Sequence, residues 1–105
     1  MQHLATFFKA LADPTRLRIV ELLMQSSFCV CEMQRILQLP QPLLSRHLAY
    51  LRHSGLVKSQ RAGVRVNYRL NKTHPFLWRM ERVLPELLAS NPVENADPGR
   101  LRTAF

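Results

Sequence analysis

Acid is missing from the middle of this chain. No Asp or Glu stands between Glu32 and Glu81, although the 105 residues carry seven in all. The same stretch holds Arg35, Arg46, Arg52, Lys58, Arg61, Arg65, Arg69, Lys72 and Arg79, and the formal net charge is +8. An acid-free, Arg-rich middle between acid-bearing ends has the electrostatic character of a phosphate-binding surface. Glycine is scarce, with three residues, and no Gly-rich phosphate loop can be built from them. There are two cysteines, Cys29 and Cys31, too few and too close for a disulfide scaffold. They do not form a Cys-x-x-Cys redox pair, and no carboxylate–histidine cluster accompanies them, which argues against an enzyme. No apolar run nears the roughly 20 residues of a membrane span. The start, Met1-Gln2-His3-Leu4, has none of the marks of a secretory signal, so the expected compartment is the cytoplasm. There the cysteines are expected as thiols for a soft ligand or for redox chemistry.

The length fits one domain, and 47% hydrophobic residues argue against disorder. A domain this small has a thin core, and pairing is a common remedy. Leu4, Phe7, Phe8 and Leu11 recur at helical spacing, predicting a helix from about His3 to Ala12. Asp13 as cap and Pro14 as first helical residue start a second, with Leu17, Val20 and Met24 inward and Ile19 and Leu23 widening the stripe. A third is expected from Cys29 to Leu37, with Met33, Ile36 and Leu37 facing in. After Gln38-Leu39-Pro40, a fourth begins with Gln41 as cap and Pro42 as first residue. Its inner stripe is Leu44, Leu48 and Leu51, and Gly55 ends it. Two short helices across such a break are the helix-turn-helix signature.

Beyond Gly55 the period changes from 3.6 to 2. Val64, Val66, Tyr68 and Leu70 alternate with Arg65, Asn67 and Arg69, predicting a half-buried strand with a basic face. Val57–Gln60 is its expected partner and Arg61–Gly63 the turn, so the hairpin reads as a wing. A fifth helix opens at Pro75 with Thr73 as cap, carries Leu77, Met80, Leu84, Leu87 and Leu88, and should kink or restart at Pro85. The expected fold is mainly α with a β-hairpin: a winged helix-turn-helix of five helices and a two-stranded wing. It spans residues 1–89, with 90–105 as a flexible tail.

The fourth helix suits a major groove. Gln41, Ser45, Arg46 and His47 stand toward its start, and Gln and Arg can pair bidentately with adenine and guanine edges. Arg61 and Arg65 of the hairpin are candidates for phosphate or minor-groove contact. Double-stranded operator DNA is the expected partner. An RNA module would need stacking aromatics on an exposed sheet, and these are missing.

Three segments, Leu11–Val20, Leu44–Val57 and Arg61–Leu70, closely resemble the ArsR/SmtB family of metalloregulatory repressors, and the resemblance covers about residues 3–88. It implies a winged-helix homodimer that covers a promoter and leaves when an effector binds. It also implies a dimer interface of the first and last helices, bringing together Leu4, Phe7, Phe8, Leu77, Leu84 and Leu88. Phe28-Cys29-Val30-Cys31-Glu32 resembles the Cys-Val-Cys box of the family's arsenic, antimony, cadmium and lead sensors.

The chemistry of that pair is legible by itself. Thiolates prefer soft, thiophilic ions. Cysteines at i and i+2 point about 200° apart on an ideal helix, so both can hold one ion only if the helix distorts. They begin the helix that supports the reading helix, and ligand capture would move it. The expected inducer is trivalent arsenic or antimony, with no constitutive cofactor. Position 34, where a third cysteine often follows in the family, is Gln34, so water, hydroxide or a small thiol must complete the set. The alternatives are a thiol redox or persulfide sensor and a cadmium or lead sensor. The N-terminal arm offers those metals only His3. His74 stands alone where the family's zinc site would need further ligands, and no zinc site is expected.

Overall fold

Asp13-Pro14 makes the first corner of the molecule. In the computed structural model, which describes residues 1–90, Asp13 is extended and its Oδ2 accepts from Arg16 N at 3.0 Å. One helix, α1 (Gln2–Leu11), ends before it and the next, α2 (Pro14–Leu23), begins after it. There follow β1 (Phe28–Cys29), α3 (Val30–Leu37), α4 (Gln41–His53), β2 (Val57–Ala62), β3 (Arg65–Leu70), α5 (Leu77–Met80) and α6 (Val83–Ala89). The expected tail, 90–105, lies outside the described residues apart from Ser90, which ends α6.

Two features depart from the expected five helices and two strands. The sheet has three strands, ordered β1-β3-β2 and antiparallel throughout, because Phe28 pairs with Tyr68 and Cys29 with Asn67. A two-residue strand is too short to show alternation. The last helix is broken into α5 and α6 at Glu81-Arg82. Pro85 cannot donate to the carbonyl of residue 81 and its ring would clash there, so the chain restarts with Pro85 in the first turn of α6, where no donor is needed. Thr73 does not cap this segment. Its N–H and hydroxyl donate to Asn71 Oδ1, whereas His74 Nδ1 accepts from Phe76 N at 3.2 Å and Leu77 N at 3.3 Å.

Smaller shifts have local causes. Cys29 caps α3, so the helix begins at Val30. Pro40 caps α4, with Gln41 and Pro42 as its first two residues. The wing strand β2 runs on to Ala62, opposite Arg65, leaving a two-residue turn of Gly63-Val64. Gly63 has φ +67°, the positive value such a turn requires, and Val64 is exposed at the tip instead of lying in the strand.

The core lies between α1–α4, the sheet and the last two helices, and includes Phe7, Ile19, Val20, Met33, Leu44, Leu48, Leu51, Leu56, Leu70, Leu77 and Leu84. The stripe of α4 is buried as expected. That of α2 is turned toward Ile19, Val20, Leu22 and Leu23, leaving Leu17 and Met24 half-buried. Ile36 does not face inward: it is 50% exposed, because Met33 and Leu37 fill the space under α3. Among the described residues no helix is long and apolar enough to cross a membrane.

Candidate functional site

Leu44, Leu48 and Leu51 bury one side of α4 and fix which side meets solvent. Gln41 and Arg46 are exposed and Ser45 is half-buried. Gln41 Nε2 donates to Ser45 Oγ at 2.9 Å, which holds the two polar groups together on the first turns. The approach to α4 is set by Gln38, left-handed at φ 55°, whose N–H donates to Gln34 O. Arg18 Nη2 donates to Leu37 O at 3.1 Å and satisfies a carbonyl at the end of α3. Because α3 packs on α4 and is tied to α2 in this way, the polar start of α4 is presented by a rigid frame.

His47 is differently placed. Its side chain is 15% exposed, with Nδ1 3.3 Å from Arg16 Nη1 and 3.9 Å from Asp13 Oδ2. Arg16 is the centre of this corner. Its Nε donates to Ala10 O at 2.8 Å and its Nη2 to Lys9 O at 3.2 Å, while the guanidinium carbon lies 4.0 Å from the centroid of the Tyr50 ring. One side chain thus caps the C-terminus of α1, stands on α2 and stacks on α4. Sequence reasoning assigned it no role, because its three sets of partners come together only in the fold.

On the wing, Arg61 is exposed near the tip, with Nη1 donating to Gly63 O at 3.4 Å. Arg65 reaches back to α3 instead: Nη2 lies 3.1 Å from Cys29 Sγ and 3.1 Å from Glu32 Oε1. Glu32 Oε1 also accepts from Cys29 N at 2.9 Å and closes a capping box at the start of α3. That backbone hydrogen bond above all, then the Cys29 side chain and the Arg65 charge, hold the Glu32 carboxyl below its ordinary range. Glu32 was not singled out from sequence; its signal was the position three residues beyond a cap.

The two thiols are free, with Cys29 buried and Cys31 exposed. Among the described residues, no group of three or more His, Cys, Asp or Glu side chains is placed to hold a metal ion. The local donor set is therefore two sulfurs. It suits a thiophilic ion chemically, but Cys29 is buried with its sulfur against Arg65 while Cys31 is exposed, so convergence needs the first turn of α3 to open. The six apolar residues of the outer helices divide as well. Phe7, Leu77 and Leu84 are buried within the chain, Leu4 and Leu88 are half-buried, and Phe8 is exposed. Trp78, Val83 and Leu87 are exposed beside them. The two regions meet where Phe7 and Phe76 pack with ring centroids 5.6 Å apart.

Comparison with known proteins agrees with this architecture. Residues 13–59, from the start of α2 into β2, match the profile of the bacterial regulatory protein arsR family. The chain is 41% identical over 93 residues to the arsenical resistance operon repressor of Escherichia coli, covering 80% of each chain. It is 46% identical over 69 residues to the arsenic resistance transcriptional regulator ArsR1 of Pseudomonas putida, covering 65% of this chain and 54%, about half, of that relative. The structure of HlyU from Vibrio cholerae superposes with a TM-score of 0.76 at 33% identity, covering 84% of this chain and 94% of that one. With the family profile over the helix-turn-helix, a basic hairpin directly after it and a relative matched over four fifths of both chains, the chain belongs to the arsR family of bacterial regulatory proteins and is a winged helix-turn-helix transcriptional regulator, not an enzyme.

Proposed function

We propose that the protein is a homodimeric repressor that binds operator DNA and releases it when trivalent arsenic or antimony bonds to Cys29 and Cys31. The observation that carries the reading is the placing of the thiol pair at the first turn of α3, directly behind the helix that presents Gln41, Ser45 and Arg46. Those three side chains read base edges, with Arg61 on the wing adding backbone contact and the basic segment 33–80 supplying general attraction. His47, turned toward Asp13 and Arg16, serves to set the pose of α4. Each thiol gives up its proton and displaces one hydroxide of the trivalent hydroxide as water, with no change in oxidation state. A remaining hydroxide or a small thiol is the third donor. Exposed Phe8, Trp78, Val83 and Leu87 supply an apolar face for a second copy.

Fluorescence anisotropy of promoter DNA, titrated in turn with arsenite, antimonite, cadmium, lead, zinc and peroxide, tests the reading. Arsenite and antimonite should release the DNA, and Cys29→Ser and Cys31→Ser should each still bind it but no longer respond. Normal release by both single variants would remove the pair from the mechanism. A second reading, oxidation or persulfidation of the same pair, is favoured by the unequal exposure of the thiols, since Cys31 can react alone. Release by peroxide with a matching mass shift, and none by arsenite, would select it.

A further inference from the structure

The sensor thiol and the wing belong to one bonded unit. Cys29 is both the last residue of β1, opposite Asn67 of β3, and the cap of α3. Arg65 lies two residues before Asn67 on the same face of β3. From there its Nη2 meets Cys29 Sγ and Glu32 Oε1, each at 3.1 Å, and Glu32 in turn holds Cys29 N at 2.9 Å. The wing is therefore fastened to α3 through the atom that would bond the inducer.

We propose that Arg65 is a positioning residue that fixes the wing on the first turn of α3 only while Cys29 is a free thiol. This rests on reading the thiol pair as the sensor. A sulfur that has lost its proton to a departing hydroxide and bonded to arsenic carries new bulk on the side where Nη2 stands. Convergence of Cys29 with the exposed Cys31 also opens the first turn, which takes Cys29 N away from Glu32. Both anchors of Arg65 change in one event. The wing loses its side-chain tie to α3 and keeps only the short β1–β3 pairing, and with that tie goes the geometry in which wing and α4 can grip one duplex together. Coupling through the wing sheet thus acts beside any movement of α4, and Arg65 carries it without itself contacting a base.

The test is operator affinity with and without arsenite for the full chain and for Arg65→Ala and Glu32→Gln. Circular dichroism checks the fold, and native mass spectrometry counts bound arsenic. For the unaltered protein, arsenite should weaken binding by about tenfold or more, within the usual range of allosteric coupling. Arg65→Ala should take up arsenic equally, bind DNA more weakly before arsenite is added, and weaken by less than about threefold afterwards, because the linkage is already gone. Glu32→Gln keeps an oxygen for Cys29 N but loses the charge that holds Arg65, and its release factor should fall between the two. If Arg65→Ala is released by the same factor as the unaltered protein, Arg65 is only a phosphate contact and the proposal is overturned. If Arg65→Ala does not fold, an unchanged release factor in Glu32→Gln overturns it instead. Failure of the unaltered protein to respond to arsenite while still binding DNA would overturn the sensor reading, and this coupling with it.

Discussion

Arg16→Ala should destabilise the protein and misplace α4 in one stroke. Two hydrogen bonds from a charged donor are lost, to Ala10 O at 2.8 Å and to Lys9 O at 3.2 Å. The first is partly buried and contributes about 1.5 kcal/mol; the second is exposed and contributes less. Stacking over Tyr50 at 4.0 Å adds about 0.5–1 kcal/mol. The combined loss is about 2–3 kcal/mol, which for a domain of this size lowers Tm by about 10–20 °C. Arg16→Lys keeps the charge but cannot reach two carbonyls while stacking flat on a ring, and should recover less than half of the loss. Urea unfolding at fixed protomer concentration measures both, with the slope unchanged if only stability is affected. Operator affinity at a temperature where both variants are folded reads the second consequence, a weaker grip on every sequence tested. A loss below about 0.5 kcal/mol for Arg16→Ala, or a lysine variant equal to the unaltered protein, would refute the claim that this side chain joins α1, α2 and α4.

Arg46→Ala should weaken operator binding and relax discrimination at one base pair by about 1–3 kcal/mol, leaving fold and oligomeric state intact; unchanged affinity in anisotropy would remove it from the reading set. Gln38→Gly should stabilise the fold by about 0.5 kcal/mol, since Gln38 is exposed and left-handed at φ 55°; a lower urea midpoint would show that its side chain matters. Burial holds the His74 imidazole below its ordinary value of 6.5. The unfolded chain therefore takes up this proton first as pH falls. The His74 contribution to stability is full above pH 6.5, declines below it, and levels off beneath the depressed folded value. Urea titrations across that window should show the slope, and His74→Gln should flatten it; an unaltered slope would assign it elsewhere.

Elements whose reasons lie within a few neighbours were legible in the sequence. Pro14 after Asp13, the Leu44-Leu48-Leu51 stripe, and the positive φ of Gly55 at +84° each follow from local chemistry. Readings that depended on which neighbour fills a space did less well. Ile36 has the right spacing to be buried, but Met33 and Leu37 occupy that side of α3. The partners that Arg65 and His47 find on other elements were not legible either, since they depend on the packing and not on the chemistry for nucleic acid that both residues have.

The order of helices, the place of the wing, the charge of its surface and the presence of two thiols one residue apart were determined by the chain alone. They follow from short-range rules of periodicity, capping and composition. Only the tertiary structure decided that Cys29 joins the wing sheet, that one thiol is buried and the other open, that Arg16 fastens helices together and that Arg65 fastens the wing to α3. Those outcomes depend on contacts between residues 31 and 36 positions apart, His47 with Arg16 and Arg65 with Cys29. Such contacts arise only when packing has brought distant segments within hydrogen-bonding distance.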